Sequence, residues 1–348
     1  MKALVKYGLQ PGDVEVREVP EPRLAANRVL VKPVTVGVCG SDVHMWHNNQ
    51  SWAVKDDLVL GHEVAGRIIA VGEQVEGWAI GDRVVMETAA EICGQCTMCR
   101  TGRYHLCPWR QGYGALRDGS MSELVEADPR VLHRIPEGVG FAQASMTEPY
   151  CVAYNAVVER GGVTPGDLVV VQGAGPIGAL AVQVARLQGA GTIVALGTDR
   201  DAARLEKVLA LGADYALDIT REDPVALVAT LGDGLGADMV VDATGVSIAL
   251  KQGMDLVRPL GAIVKVGWGP QPLNFSLDPL VAKAATIYGC FSHTWLTWER
   301  VLGLFASGRI DPTSVIGGSY PLQEWEQAFA DMDSGKNIKS VLTFSSAD

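Results

Sequence analysis

The fold of this chain is decided by residues 169–178, which read VVVQGAGPIG. A short apolar strand leads into a Gly-x-Gly-x-x-Gly loop. The residues after the loop have apolar side chains at the spacing of an α-helix. The first glycine permits a tight turn, the second lets a pyrophosphate approach the backbone, and the third lets helix and strand pack closely. The following helix would offer free N–H groups to phosphates. The stretch therefore predicts a dinucleotide-binding unit. We expect its cofactor contacts to be Gly173, Gly175, Pro176, Ile177 and Gly178.

Outward from this loop, short apolar strands alternate with amphipathic helical stretches from about Glu159 onward. Six strands that alternate with helices predict a parallel, doubly wound sheet. The predicted strands are Leu168–Val171, Thr192–Leu196, Tyr215–Leu217, Met239–Ala243, Ala262–Val266 and Thr286–Gly289. The clearest predicted helices between them are Ala202–Leu211 and Ser247–Leu256.

The remainder of the chain has a different pattern of predicted secondary structure. Its first half consists of short β-branched runs broken by Gly or Pro, which predict a β-rich domain. After about Cys290 the pattern reverts, with helices near Trp295–Ser307 and Leu322–Ser334 and a strand at Ser340–Phe344. We therefore expect a β-rich domain formed by residues 1–155 and 291–348, with a nucleotide-binding domain inserted at residues 156–290.

Composition narrows the function classes. The chain has 348 residues, of which 29 are Lys or Arg and 40 are Asp or Glu, so its formal charge is 29 − 40 = −11. Such an acidic chain is not attracted to a phosphate backbone, which argues against nucleic-acid binding. The charge-free stretch 168–185 contains glutamines, a proline and the glycine loop, which argues against a membrane span. Because the first residues have no apolar signal core, we expect a cytoplasmic protein.

At the ribose end of the cofactor site, the sequence is compatible with either NAD or NADP. Asp199 follows the second predicted strand of the nucleotide-binding domain, and an acid there binds both ribose hydroxyls, which favours NAD. Thr198 and Arg200 would instead accommodate a 2′-phosphate and so favour NADP. We expect NAD, with NADP as the alternative. The expected contacts in this region are Thr198, Asp199, Arg200 and Arg204.

Four of the seven cysteines form a Cys-x2-Cys-x2-Cys-x7-Cys motif. Four thiolates complete a tetrahedral zinc shell and leave no open position for chemistry, so the motif predicts a structural zinc ion. An iron–sulfur cluster is the alternative for four thiolates. The ligands would be Cys93, Cys96, Cys99 and Cys107.

Two further motifs precede this lobe. Residues 37–44 read GVCGSDVH and residues 61–66 read GHEVAG. Cys, His and Glu are all competent zinc ligands, and three protein ligands leave a fourth position for a substrate. Taken alone, the first motif is better explained by a buried core cysteine, and the second by a His-Glu pair in a surface turn. Glu148, just before the nucleotide-binding domain, is a candidate residue of this site from a third part of the sequence.

Together, these motifs resemble the zinc-dependent medium-chain dehydrogenase/reductase superfamily. Within it, the chain is most similar to the sorbitol (polyol) dehydrogenase-like and threonine dehydrogenase-like branch. The resemblance covers essentially the whole chain. It implies an α/β protein with a GroES-like, β-rich catalytic domain and a Rossmann domain built on a doubly wound parallel sheet.

The resemblance also implies a catalytic zinc ion held by Cys39, His62 and Glu63. Glu148 would be a fourth ligand or would act through a water molecule. Zinc with one thiolate and one carboxylate is already neutral, so charge favours the water-mediated arrangement at rest. Asp42 would orient His62 from behind.

In the implied reaction, the alcohol oxygen binds zinc and a hydride passes to the nicotinamide ring. Ser41 lies where the family has its relay hydroxyl. His44 would pass the proton to solvent, unless it is a structural histidine.

The implied substrate is a secondary alcohol of a polyol or sugar alcohol, oxidised to a ketose or ketone. Polyol enzymes commonly carry an Arg-Tyr pair after the last Rossmann strand, where residues 290–295 here read CFSHTW. This departure argues against sorbitol itself as the substrate. The expected pocket residues are Trp46, Phe291, Ser292 and His293. The alternatives are a threonine-type 3-hydroxy amino-acid dehydrogenase and a cofactor-binding relic without turnover. The family commonly forms dimers or tetramers, so we expect a homotetramer.

Overall fold

A computed structural model describes residues 1–344 of the chain. The strands are β1 Lys2–Lys6, β2 Val14–Glu18, β3 Val29–Gly37, β4 Leu58–Val59, β5 Glu63–Val71, β6 Arg83–Met86, β7 Ala89–Glu91, β8 Gln111–Gly112, β9 Val125–Ala127, β10 Leu132–Arg134, β11 Leu168–Gln172, β12 Thr192–Gly197, β13 Tyr215–Asp218, β14 Ala237–Asp242, β15 Val257–Lys265, β16 Thr286–Gly289, β17 Ile316–Pro321 and β18 Lys339–Thr343.

The α-helices are α1 Gly40–Trp46, α2 Thr97–Arg100, α3 Phe141–Ser145, α4 Thr147–Tyr154, α5 Pro176–Gln188, α6 Ala202–Ala210, α7 Pro224–Val228, α8 Ser247–Leu256, α9 Asp278–Ala282, α10 Trp295–Ala306 and α11 Trp325–Asp333. Short 3-10 turns lie at Tyr104–Leu106, Pro129–Val131, Asp199–Asp201, Pro312–Val315 and Leu322–Glu324, and a π-helical segment spans Asn155–Arg160.

The chain divides into two compact units. The first contains Met1–Pro149, Ser292–Asp333 and the described residues from 339 onward, and the second contains Tyr150–Phe291 and Ser334–Ile338. The C-terminal boundary expected at residue 348 lies outside the described residues.

The second unit is built on a six-stranded sheet of order β13-β12-β11-β14-β15-β16, and every adjacent pair is parallel. This is the 3-2-1-4-5-6 order of the Rossmann fold, so the predicted doubly wound sheet is confirmed. β11 is buried along its whole length, which explains why its first four residues, LVVV, form a continuous apolar run. The charge-free stretch 168–185 is divided between β11 and α5, and no helix in residues 1–344 is both long and apolar enough to cross a membrane.

The first unit is dominated by a seven-stranded sheet. Its order is β10-β6-β5-β3-β18-β17, and β9 pairs with β3. A second sheet has the order β2-β1-β4, and β7 pairs with β8. The central pair β3 and β5 is antiparallel and places Gly37 opposite Glu63, and β18 packs antiparallel on the other side of β3. The start of β5 and the end of β3 therefore meet, with the start of β18 near them.

Candidate active site and metal centres

Strand pairing brings three predicted ligands together. Cys39 follows the end of β3 and precedes α1, while His62 and Glu63 stand at the start of β5. Because Gly37 pairs with Glu63 across the two strands, these motifs meet although they are distant in sequence. One ligand atom each of Cys39, His62 and Glu63 lies within 4.8 Å of the others. A thiolate, an imidazole and a carboxylate so arranged form a suitable donor set for zinc.

One oxygen of the Glu63 carboxylate is suited to bind a metal ion. A Cβ at Gly37 would lie 2.1 Å from Glu63 Oε2, so only glycine leaves room for the carboxylate there. Oε2 accepts a hydrogen bond of 2.5 Å from Lys339 Nζ, which also donates to the carbonyl of Val38. The other oxygen, Oε1, is buried and has no hydrogen-bond partner among the described residues. A buried carboxylate oxygen without a donor is costly, and a metal ion would satisfy it.

Lys339 was missed by the sequence analysis. It is 1% exposed and pairs with the equally buried Glu63. Burial works to lower the pKa of Lys339, but Glu63, Cys39 and Glu148 together outweigh burial and raise this pKa above its ordinary value. The only signal in the sequence is a single lysine beside the apolar run of β18. The charge argument made from the sequence counted zinc, the Cys39 thiolate and the Glu63 carboxylate, but not Lys339. With this additional positive charge, the net charge of the zinc site does not exclude Glu148 as a direct ligand.

The electrostatics around His62 are those of a cation site. Burial works to lower the pKa of His62, but Cys39, Asp42 and Glu148 around it raise this pKa well above its ordinary value of 6.5. Asp42 is fully buried, and its Oδ2 accepts a hydrogen bond of 2.9 Å from the backbone N–H of Cys39. Burial raises the pKa of Asp42, while His62 works to lower it. Negative groups thus concentrate on the point where the three ligands meet.

Glu148, on α4, stands apart from this three-residue group. Its Oε1 lies 3.1 Å from Nε2 of His293, and Nδ1 of His293 accepts a hydrogen bond of 2.6 Å from Trp298 Nε1. Burial works to raise the pKa of Glu148, but the hydrogen bond from His293 and the positive groups nearby lower it overall. His293 was expected in the substrate pocket. It is 2% exposed, and each of its ring nitrogens has a hydrogen-bond partner.

The proton-relay candidates lie on α1, a helix that the sequence analysis did not predict. Ser41 is partly exposed and His44 is exposed. His44 Nδ1 lies 2.8 Å from Asn49 Oδ1, so Nδ1–H donates a hydrogen bond to the side-chain oxygen of Asn49. This leaves Nε2 as the basic atom of a neutral His44.

Of the other expected pocket residues, Trp46 is accounted for by packing. Its ring makes edge contacts with Trp325 and Phe329, each with centroids 6.1 Å apart, and joins the core of the first unit. Ser292 adopts a left-handed backbone with a φ of 54°. Phe291 is 38% exposed and its ring contacts Trp268 in the second unit.

The four-cysteine lobe has the geometry of a closed metal site. All four sulfurs lie within 4.8 Å of one another. The Sγ of Cys99 is 3.9 Å from that of Cys93 and 3.5 Å from that of Cys96, close to the separation of about 3.8 Å expected in a tetrahedral zinc–thiolate shell. Left-handed backbone at Gly94 and Gly102, with φ of 69° and 74°, lets the short loop fold around a central point.

The glycine loop has the predicted geometry. Gly173 has a φ of 95°, which permits the tight turn after β11. A Cβ at Gly175 would meet no atom within 4 Å, so space is open beside the N-terminus of α5. A Cβ at Gly178 would lie 1.8 Å from the carbonyl oxygen of Gly173, which shows how closely helix and strand pack. Pro176 and Ile177 begin α5, where a proline lacks only an N–H that would be unpaired anyway.

At the expected ribose end, the four candidates divide into two pairs. Thr198 donates from both its backbone N–H and its hydroxyl to Asp201, each at 3.0 Å. Arg204 lies 3.4 Å from Asp201 and donates to the carbonyl of Asn337. Asp199 and Arg200 are exposed in the turn after β12. Asp201 was not predicted, and it organises the turn by capping Thr198.

Two family models match the chain. Residues 25–137 match the alcohol dehydrogenase GroES-like domain, and residues 176–307 match the zinc-binding dehydrogenase domain. The sorbitol dehydrogenase of Halalkalibacterium halodurans is 40% identical, over 99% of each chain. The D-arabitol-phosphate dehydrogenase of Enterococcus avium and the L-threonine 3-dehydrogenase of Pyrococcus abyssi are each 33% identical, over 98% of this chain and 97% of theirs.

Solved structures agree with these matches. A zinc-binding dehydrogenase from Sinorhizobium meliloti, bound to NADP, has a TM-score of 0.90 at 27% identity and covers 99% of each chain. An alcohol dehydrogenase from Escherichia coli, complexed with NADH, has a TM-score of 0.88 at 29% identity and the same coverage. The predicted combination of GroES-like and Rossmann domains is confirmed. The chain belongs to the zinc-binding, NAD(P)-dependent alcohol dehydrogenases of the medium-chain superfamily, in the branch that includes the sorbitol dehydrogenases.

Proposed function

We propose that the protein oxidises a secondary alcohol of a polyol or related sugar alcohol to a ketose or ketone, with NAD as the hydride acceptor. The observation that carries the proposal is the convergence of Cys39, His62 and Glu63, with one oxygen of Glu63 lacking a donor. The similarity to sorbitol and arabitol-phosphate dehydrogenases supports the substrate class.

We propose that Cys39, His62 and Glu63 bind the catalytic zinc ion and that the four-cysteine lobe binds a structural one. Bound zinc would polarise the substrate hydroxyl and lower its pKa toward neutrality. Asp42 fixes the start of α1 through the backbone of Cys39, and Lys339 anchors Glu63.

Ser41 and His44 are the proposed proton carriers. Both lie on α1, directly after Cys39, so the substrate proton has a short route away from the ligands. The bond from His44 to Asn49 supports this role, because it leaves Nε2 of His44 free to accept a proton and the exposed ring to release it.

For the cofactor, we propose NAD bound along the glycine loop, with its ribose on Asp199. Support comes from the turn after β12. There Asp201 accepts a hydrogen bond from Thr198 and forms an ion pair with Arg204, while Asp199 is exposed. Arg200 is also exposed and is the group that would accept NADP.

The first test is nicotinamide absorbance during incubation with polyols, simple secondary alcohols and threonine, with NAD and NADP run in parallel. Reduction of NAD with polyols supports the proposal. Glu63→Ala should lose this activity while the four-cysteine lobe keeps its metal. Silence with every polyol, in a protein that binds two zinc ions, would contradict the proposed substrate class.

A threonine-type 3-hydroxy amino-acid dehydrogenase is the second candidate, because L-threonine 3-dehydrogenases match this chain over nearly its whole length. Such a substrate needs partners for an ammonium and a carboxylate. NAD reduction with threonine and not with polyols would select this candidate over the first.

We also propose a cytoplasmic homotetramer whose subunits associate partly through β16. Most residues of this edge strand are exposed, and the second unit also exposes Leu260 at 82% and Val281 at 76%. An exposed strand edge beside apolar side chains favours pairing with another chain. Light scattering of wild type and of Val281→Asp tests this: a monomeric wild type would contradict it.

We propose domain boundaries at residues 1–155 and 291–348 for the catalytic domain and 156–290 for the Rossmann domain. The contact-defined units support the division within a few residues, and the short segment Ser334–Ile338 clusters with the Rossmann unit. Limited proteolysis that cuts near residues 150 and 291 would support these boundaries.

A further inference from the structure

His293 lies in the segment where the sequence departs from the pattern of polyol dehydrogenases. It is 2% exposed, and each ring nitrogen has one partner. Nδ1 is 2.6 Å from Nε1 of Trp298, and Nε2 is 3.1 Å from Oε1 of Glu148. Since burial excludes water from this line of contacts, hydrogen-bond roles follow from the chemistry of the three side chains alone.

Those roles fix the tautomer of His293. The indole N–H of Trp298 is only a donor, so Nδ1 of His293 must accept and carries no proton. A neutral imidazole with an unprotonated Nδ1 has its proton on Nε2. That proton points at Oε1 of Glu148, which accepts it as a carboxylate. The hydrogen bond from Trp298 thus places the proton of His293 on Nε2, the nitrogen that donates to Glu148.

The indole of Trp298 is itself held in place. Its ring is 1% exposed and lies nearly parallel to that of His133, with centroids 5.3 Å apart and an interplanar angle of 7°. His133 is bonded at Nε2 to Glu87, at 3.1 Å, and at Nδ1 to Glu299, at 2.5 Å. Because both nitrogens of His133 are bonded, its ring cannot turn, and the stacked indole keeps its N–H on His293.

We propose that Trp298 and His293 form a positioning arm that holds Glu148 as an outer carboxylate, beside but outside the group of Cys39, His62 and Glu63. Glu148 is absent from the three-residue group whose ligand atoms lie within 4.8 Å, and the bond to His293 accounts for its separate position. The inference rests on the proposed catalytic metal site. It also explains the sequence departure, because His293 acts on Glu148 and not on a substrate in the pocket.

Removing the arm should free Glu148 to turn toward the metal ligands. We expect Trp298→Phe and His293→Ala to lower kcat by roughly tenfold to a hundredfold, the usual effect of losing a partner that orients a metal-site residue. KM should change less, because the arm does not touch the substrate. His293→Gln keeps an acceptor and a donor in one side chain and should restore much of the activity.

The decisive measurement is the visible absorption of the cobalt-substituted protein without substrate. An additional carboxylate ligand changes the d–d bands, so Trp298→Phe and His293→Ala should shift the bands of the Cys39 site, and His293→Gln should not. Trp295→Phe is the matched control, because this tryptophan also lies on α10 and packs on His133, with ring centroids 5.6 Å apart. Within residues 1–344, the hydrogen-bond partners of the His293 ring are Trp298 and Glu148, not Trp295. The four-thiolate bands serve as an internal reference.

Three outcomes bear on the inference. Shifted bands in Trp298→Phe with unshifted bands in Trp295→Phe support it. Identical bands in wild type, Trp298→Phe and His293→Ala would overturn the arm while leaving the metal site intact. Absence of any cobalt bands beyond those of the four-cysteine lobe would overturn the metal site and the arm together. Failure of the polyol assay alone would affect only the substrate class.

Discussion

At the scale of single residues, the buried pair of Lys339 and Glu63 should be the most sensitive point. Removing one partner of a buried ion pair leaves an uncompensated charge. In the zinc-free protein, we therefore expect Lys339→Met to lower the free energy of unfolding by about 3–5 kcal/mol, measured by urea denaturation. Lys6→Met is the matched control, because Lys6 is also buried but its Nζ has no hydrogen-bond partner among residues 1–344. Equal losses in the two variants would contradict the importance of the pair.

The proposed ribose contact of Asp199 predicts that this one residue sets the preference for NAD over NADP. If Asp199 binds the ribose hydroxyls, Asp199→Ala removes hydrogen bonds to a charged group, which are worth about 1.5–3 kcal/mol each. We expect kcat/KM with NAD to fall by roughly tenfold to a hundredfold, while kcat/KM with NADP falls less. The ratio of the two values in the same preparation controls for folding. An unchanged ratio would remove Asp199 from the ribose site.

At the scale of elements, two glycines of one loop should separate binding from folding. A Cβ at Gly175 meets no atom within 4 Å, so Gly175→Ala should keep the melting temperature but weaken NAD binding, because the methyl group would occupy the space proposed for the pyrophosphate. A Cβ at Gly178 clashes with the backbone of Gly173, so Gly178→Ala should cost about 1–3 kcal/mol of stability. Calorimetric titration with NAD and thermal unfolding check both. Wild-type NAD affinity in Gly175→Ala would contradict the proposed position of the pyrophosphate.

The cysteine lobe makes a prediction about pH. Backbone N–H groups of Gln95 and Cys96 lower the pKa of Cys93 from 9.0 to about 6, whereas burial and the neighbouring thiols raise that of Cys99 to about 12. The thiolate is the reactive form. In zinc-free protein, alkylation of Cys93 should therefore rise as the pH passes about 6 and be well established at neutral pH, while Cys99 stays unreactive. Mass spectrometry of alkylated peptides measures this, and equal rates for the two cysteines at pH 7 would contradict it.

Elements that the sequence analysis missed had their signals obscured by turn residues. α1 begins inside GVCGSDVH, where the glycines and polar residues suggest a loop, and Asp42 caps the helix by accepting a hydrogen bond from the N–H of Cys39. β15 begins at Val257, five residues before the predicted start, because Pro259 and Gly261 resemble strand breakers. The pairing of β14 with β15 shifts register between Ala237 and Met239, which accommodates them.

At the scale of the whole molecule, metal content distinguishes the two proposed sites. Wild type should bind two zinc ions per chain, and Glu63→Ala should bind one without a large loss of stability in the cysteine lobe. Cys107→Ser should also bind one zinc, but it should lower the melting temperature, because metal binding and folding are coupled in a four-thiolate site. Elemental analysis and calorimetry measure both effects. Two zinc ions retained in Glu63→Ala would contradict the catalytic assignment.

The sequence by itself determined the features that depend on short spacing. The glycine loop, the four-cysteine lobe and the six strands of the Rossmann sheet could be predicted because a few consecutive residues set their backbone geometry. Only the tertiary structure decided which partners the metal-site carboxylates have. Lys339 and Glu63 are 276 residues apart, and His293 and Glu148 are 145 apart. Such contacts depend on how distant strands and helices pack, for example β18 on β3, and no local pattern of residues encodes that pairing.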